Sequence, residues 1–327
     1  MNIVKANAKL MEHNIHPYTF IEKVGRTCYK SEDKITDESA VEFVKGLVKR
    51  KHGAMLEHEM VYLRGKDSEI GWAKQIWKML AMDEEVYSVA GGDSNNLRNY
   101  VKVDVERDIV GASFRTWIQI IELYKEKYTV IPLISRALHK EYPEVFEELA
   151  PATIDPEDVF DIVPRVEIEE IAKESDKPSD MLFHTVLFTC DRGVSHEFVR
   201  HRPASFGQES TRYCNYTRGQ FGQEITVIKP LFFEEGSEKY ELWKKGCEAA
   251  EAAYFELIAL GAVAQEARSV LPNSLKTEIF ITASEVEWQH IVNLRYHGTT
   301  GAPHPQMKEA MTIAYPFLVE ASNGRIK

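Results

Sequence analysis

Arg200-His201-Arg202-Pro203-Ala204-Ser205-Phe206-Gly207-Gln208-Glu209-Ser210-Thr211-Arg212-Tyr213 is the stretch on which the reading of this chain turns. The whole chain is acidic, with 51 Asp and Glu against 40 Lys and Arg. Yet residues 192–218 hold five arginines, no lysine and only two carboxylates, Glu197 and Glu209. Composition alone favours a solvated basic face. The company argues otherwise, because His201, Ser205, Gln208, Ser210 and Tyr213 are hydrogen-bonding groups of mixed type. Arginine offers a planar fork that stays charged near neutrality and suits phosphate or carboxylate. The stretch therefore reads as an anion site.

Its flanks suggest how it is held. Residues 181–190, rich in Phe, Leu, Val and Thr, predict a buried strand. Gly193 then opens a short helix over 194–201, and Pro203 forces the chain out of it, since the residue before proline disfavours helical geometry. Residues 205–213 would follow as an irregular loop on a strand–helix scaffold, where chemistry tends to sit.

Further out, Thr36 is expected to cap a helix that runs to Lys51 and ends near Gly53. His52-Gly53-Ala54-Met55-Leu56-Glu57-His58 comes next, then a strand-like run over 59–64. Residues 65–180 say less. Trp72, Ile76, Met79 and Leu80 predict a helix stopped at Gly91-Gly92-Asp93, then a strand over 99–105 and a helix over 112–124. Residues 140–178, rich in Glu, Asp and Pro, predict exposed loops. One echo stands out: Ala112-Ser113 with Trp117, Ile120 and Leu123 matches Ala283-Ser284 with Trp288, Ile291 and Leu294. It is consistent with recurrent strand–helix packing or with chance. The longest helix is expected from Ser237 to Gly261, a shorter one over 263–271, and a strand over 277–283. Ser284 and Glu287 form a capping box opening a helix that ends at Arg295, and Pro305 opens the last one.

At 327 residues the chain has room for one large domain or two. A net charge of −11 argues against a general nucleic-acid or membrane-surface binder. No apolar run reaches the ~20 residues that span a bilayer, and no secretory core opens the chain. Cys28, Cys190, Cys214 and Cys247 are scattered without metal-ligand spacing, which reads as reduced thiols, no metal and a cytoplasmic setting. There is no G-x-G-x-x-G, no Walker loop and no G-x-S-x-G elbow.

Arg200-His201-Arg202, seven residues, then Ser210 resembles the R-H-R-x7-S signature of the flavin-dependent thymidylate synthases. Four further blocks fall in the family's order: Gly25-Arg26-Thr27-Cys28-Tyr29, the His52–His58 segment, Ala267-Arg268-Ser269-Val270-Leu271-Pro272, and Asn293-Leu294-Arg295. The resemblance implies an α+β fold with a central, mostly antiparallel sheet flanked by helices. It also implies one domain over 1–327, with residues 65–180 as an insertion.

It further implies methylation of dUMP to dTMP, with methylenetetrahydrofolate as carbon donor and NADPH-reduced FAD as hydride source. His52, Ala54, Glu57, Arg200, His201, Arg202, Gln208 and Ser284 would hold FAD, with His290 reaching it from another subunit of a homotetramer. Glu197, Arg200, Gln208, Glu209, Ser210, Thr211, Arg212 and Arg268 would hold dUMP, with Arg295 beside the uracil as the catalytic group. Some positions depart from the family's pattern. Ala54 replaces a Ser or Thr, Glu197 and Gln208 exchange the usual amide and carboxylate, and Ser284 and Val286 stand where Asn and Arg often touch FAD. Arg115, at the place in the echo that matches Val286, is a candidate to replace the lost cation. The alternatives are a related pyrimidine-nucleotide hydroxymethylase and an inactive nucleotide-binding homologue.

Overall fold

A computed structural model describes residues 1–67, 69–82, 97–151, 158–217 and 222–327. In chain order the strands are β1 (Asn2–Val4), β2 (Asn7–Met11), β3 (Met60–Gly65), β4 (Val101–Asp104), β5 (Ile109–Ser113), β6 (Phe160–Val163), β7 (Phe183–Asp191), β8 (Ser205–Gln208), β9 (Thr226–Ile228) and β10 (Lys276–Ser284). The main helices are α1 (Pro17–Tyr29), α2 (Ser39–Lys49), α3 (Trp72–Met82), α4 (Phe114–Tyr124), α5 (Val130–Glu141), α6 (Arg165–Lys173), α7 (Arg192–Phe198), α8 (Glu238–Ala259), α9 (Glu285–Val292) and α10 (Pro305–Ala321). Among the described residues no helix is long and apolar enough to cross a membrane.

The α+β class with antiparallel sheets and flanking helices is as the sequence implied. Among the described residues there are two four-stranded antiparallel sheets, ordered β2-β7-β10-β8 and β4-β5-β3-β6, and a small parallel pair, β1 with β9. Strands β7 and β10 are the spine of the first. Val186, Phe188, Ile279 and Ile281 are buried against Trp288, Ile291 and Met311 of α9 and α10. In the second, Val61, Leu63, Val110 and Ala112 pack on Trp117, Ile120, Ile121 and Ile134 of α4 and α5. Each such apolar side chain contributes about 1.5–3 kcal/mol on burial.

A buried polar relay joins the sheets. Glu59 Oε1 lies 2.8 Å from His13 Nδ1, His13 Nε2 2.9 Å from Thr185 Oγ1, Thr185 Oγ1 2.6 Å from Thr282 Oγ1, and Thr282 Oγ1 2.7 Å from His58 Nδ1. Burial, then His13, pulls His58 down to about 3, so it stays neutral here.

Several boundaries differ from expectation. Ser205–Gln208 is an edge strand on β10 rather than loop, because α1 closes over it. That approach needs Gly207, where a Cβ would lie 2.5 Å from Val24 Cγ1. Residues 140–178 include β6 and α6. Thr36 does not cap α2 with its side chain; its own N–H donates to Ser39 Oγ at 2.9 Å. Helix α7 stops at Phe198, three residues short of His201. The turn expected at Gly91-Gly92-Asp93 lies outside the described residues.

Candidate functional site

Helix α7 connects two clusters. Asp191 caps it by accepting from Val194 N at 2.8 Å, and the five steps from Arg192 to Glu197 advance the chain about 8 Å. At its far end Glu197 Oε2 accepts from Arg295 Nη1 at 2.9 Å. Arg295 sits on a π-helical turn, Asn293–His297, that follows α9, and its Nε–H donates to His201 Nε2 at 3.0 Å. His201 is buried, its ring 6.0 Å from that of His290 on the same chain. Burial, then its neighbours Arg295, His290 and Arg202, pulls His201 down to about 4. A neutral His201 that accepts at Nε2 must carry its proton on Nδ1.

That Nδ1–H points toward Glu287, whose Oε1 is 3.9 Å away and has no hydrogen-bond partner despite its burial. Burial lifts the Glu287 carboxyl to about 7, with Lys102 opposing and Asp180 reinforcing. His201, Glu287 and His290 present ligand atoms within 4.8 Å of one another. A cation there would need the Nδ1 lone pair, which the Arg295 hydrogen bond leaves protonated, so the trio reads as a hydrogen-bonding group.

At the near end of α7, Arg192 Nη1 donates to Glu209 O at 3.2 Å and to Thr277 Oγ1 at 3.4 Å. Glu209 is buried and committed, with Lys276 Nζ at 3.0 Å and Lys30 Nζ at 3.8 Å; Lys30 also pairs closely with Glu278. Although burial works against its charge, Lys276 and Lys30 hold Glu278 below the usual carboxylate range. Ser210 N donates to Cys28 O at 3.0 Å, and Thr211 Oγ1 accepts from Arg268 Nη1 at 3.4 Å. Arg212 lies over the Tyr213 ring at 5.5 Å. Arg200, Arg202, Arg212 and Arg268 all present exposed side chains.

The chain matches known proteins in its second half above all. Residues 167–313 match the family model described as "Thymidylate synthase complementing protein". The flavin-dependent thymidylate synthase of Pyrococcus furiosus is 36% identical over 106 residues, 32% of this chain and 43% of that protein. The Aquifex aeolicus protein of the same name is 22% identical over 301 residues, 85% of this chain and 87% of the relative. The chain thus spans less than half the length of the first archaeal relatives, and most of the longer one. A UMP/dUMP methylase from Streptomyces cacaoi aligns over 100% of this chain and 99% of its own at 14% identity, but the TM-score of 0.38 carries no argument.

The fold gathers Glu197, His201, His290 and Arg295 at one end of α7, and Glu209, Ser210, Thr211 and Arg268 at the other. Gln208 is spent on the scaffold, its Nε2 donating to Ser195 Oγ at 2.8 Å and Thr277 Oγ1 at 3.2 Å. Ser284 caps α9 by accepting from Glu287 N at 3.4 Å and donates to Asp180 at 3.0 Å. His52 and Ala54 are exposed on the turn before β3, where Glu57 pairs with Arg115. Val286 is 47% exposed. Sequence reading missed Glu287 as a site group because its spacing from Ser284 already had a use as a cap. Lys30 and Lys276 carry no motif, and only the fold brings them to Glu209.

Proposed function

We propose that this chain is a flavin-dependent thymidylate synthase, which methylates dUMP to dTMP with methylenetetrahydrofolate as carbon donor and NADPH-reduced FAD as hydride source. The observation that supports it most is Arg295, which spends two N–H groups on Glu197 and His201 and has others left for a ligand. Held so, the guanidinium is a fixed cation. Beside a uracil ring it stabilises charge left by the N3 proton and so raises electron density at C5. Arg212 and Arg268 supply the charge for a nucleotide phosphate, with Ser210 beside them.

The residues also fit a flavin. The neutral His201 offers an N–H, the unpartnered Glu287 carboxyl an acceptor, and Arg200 and Arg202 exposed cations for a diphosphate. Arg115, next to Glu57, provides a cation that Val286 does not. When bound, the flavin supplies the hydride chemistry. A cysteine-nucleophile route is disfavoured, since burial pushes both thiols near the site, Cys28 and Cys214, up to about 12. A cytoplasmic homotetramer belongs to the same reading.

The test is the absorption spectrum of the purified protein, with FAD added and then dUMP. A flavin band that dUMP perturbs is expected, together with dUMP-stimulated NADPH oxidation and a product one CH2 unit heavier than dUMP. Absence of a bound flavin after FAD addition would sink the proposal.

A further inference from the structure

We propose that the chain is two copies of one unit that have exchanged their first strands, so that the second copy holds a single nucleotide site and the first completes it. Apart from α2 in the first copy and β9 and α8 in the second, which have no counterparts, the elements β2-α1-β3-α3-β4-β5-α4-α5 recur in the same order as β6-α6-β7-α7-β8-β10-α9-α10. In the sheets, β4-β5-β3 is closed by β6, while β8-β10-β7 is closed by β2. Each copy's first strand therefore lies in the other copy's sheet.

The registers agree pair by pair. Met60 faces Ser113 as Phe183 faces Ser284; Lys102 faces Gly111 as Ser205 faces Thr282; and on the exchanged strands Leu63 faces Ile162 as Val186 faces Leu10. Hydrogen bonds repeat as well. Trp117 Nε1 donates to Val61 O at 3.0 Å, and Trp288 Nε1 to His184 O at 2.9 Å. Ser113 accepts from Thr116 N at 3.2 Å, and Ser284 from Glu287 N at 3.4 Å. Phe114 N donates to Glu59 O, and Glu285 N to Leu182 O. Similar packing of one strand and helix is commonplace. Matched registers on three strand pairs, with the first strands traded reciprocally, are not.

The copies differ where the site is. Strands β4 and β5 are joined by residues 105–108, whereas residues 209–275 separate β8 from β10. Ser210, Thr211, Arg212 and Arg268 lie in that longer segment, so the first copy has no room for counterparts. Buried Tyr124 stands where Arg295 stands, and Leu97-Arg98-Asn99 where Arg200-His201-Arg202 stands. The first copy instead lends the end of α1, where Cys28 O receives Ser210 N and Lys30 reaches Glu209. On this assignment residues 65–180 are the end of one copy and the beginning of the next.

Two experiments on the full-length protein test this, and only the second rests on the nucleotide reading. Lys9 faces Leu187, and Arg64 faces Asp161. Without exchange, Lys9 would face Arg64. Oxidation should therefore close an intrachain disulfide in Lys9→Cys with Leu187→Cys and none in Lys9→Cys with Arg64→Cys; the reverse result overturns the exchange. In the second, calorimetric titration of the flavin-loaded protein with dUMP should give one site per chain. Lys30→Met should weaken that binding about tenfold, while Tyr124→Phe leaves it unchanged. Two sites per chain, or full affinity in Lys30→Met, overturns the single shared site. No dUMP binding at all would instead overturn the nucleotide reading, leaving the exchange to the disulfides.

Discussion

The residue after the capping serine is Phe114 in the sheet of β4-β5-β3-β6 and Glu285 in the sheet of β2-β7-β10-β8, and both are 0% exposed. Phe114 needs nothing but apolar neighbours, among them Phe146 and Tyr142. Glu285 receives Arg325 Nε at 2.9 Å and Arg325 Nη2 at 2.8 Å, with His184 Nε2 at 2.9 Å and Ser179 N at 2.9 Å. One position, two solutions. The apolar one is self-sufficient, while the charged one conscripts the C-terminal segment and ties it to the helix that leads to Arg295. Burying a bare carboxylate is far costlier than burying a phenyl ring, so the second sheet depends on distant partners in a way the first does not.

The largest effect follows from that dependence. Arg325→Ala leaves Glu285 buried beside an uncharged void and should cost about 3–5 kcal/mol of stability. Phe114→Leu, at the matching place, should cost only about 1 kcal/mol. Urea denaturation of the two variants checks both. If Arg325→Ala costs no more than Phe114→Leu, the charged cluster is not what holds the second sheet's helix.

A smaller effect sharpens the likeness instead. Trp117→Phe and Trp288→Phe each remove an N–H that satisfies a strand carbonyl, and each should cost about 1–3 kcal/mol. The same denaturation measurement should find the two losses within about 0.5 kcal/mol of each other. A loss confined to one copy would show that the repeated hydrogen bond does not do the same job twice.

Much of this was legible in the sequence, and what was not has physical causes. The strands at 181–190 and 277–283 carry long apolar runs, and the serine cap of α9 has a local signature, so both could be read directly. The echo between Ala112-Ser113 and Ala283-Ser284 was visible too. Its weight was not, because exchange of β2 and β6 is a matter of tertiary register that no local pattern encodes. Strand β8 is four residues with a glycine, too short to show alternation. The arginine cluster could be read because residue type alone announces an anion. The commitments of Glu209 to Lys30 and Lys276, and of Glu57 to Arg115, could not, because they join residues far apart in sequence.

The smallest effect concerns the groups that distinguish the two helix starts by pH. Thr116 in the first copy and Glu287 in the second follow their capping serines by three residues, and both are buried. Thr116 does not titrate in this range. Glu287, lifted to about 7, binds its proton more tightly folded than unfolded, where a glutamate titrates near ~4.3. Its contribution to stability is complete below ~4.3 and is lost as pH rises through about 7. His201, lowered to about 4 against ~6.5 unfolded, works the other way: its contribution is present above ~6.5 and is lost as pH falls through about 4. Between these limits the folded state holds one extra proton on Glu287 and one fewer on His201, so the pair's opposing slopes cancel. Glu287→Gln removes one side of the balance. Relative to the wild-type chain its stability should rise from pH ~5 to ~7, by about 1 kcal/mol in all once Lys102 and residual solvent are allowed for. Thr116→Val, at the matching place in the first copy, should show the wild-type pH profile. Chemical denaturation at a series of pH values decides it: parallel curves for Glu287→Gln and the wild type would mean that the carboxyl is already charged at pH 5, and that His201 faces a carboxylate.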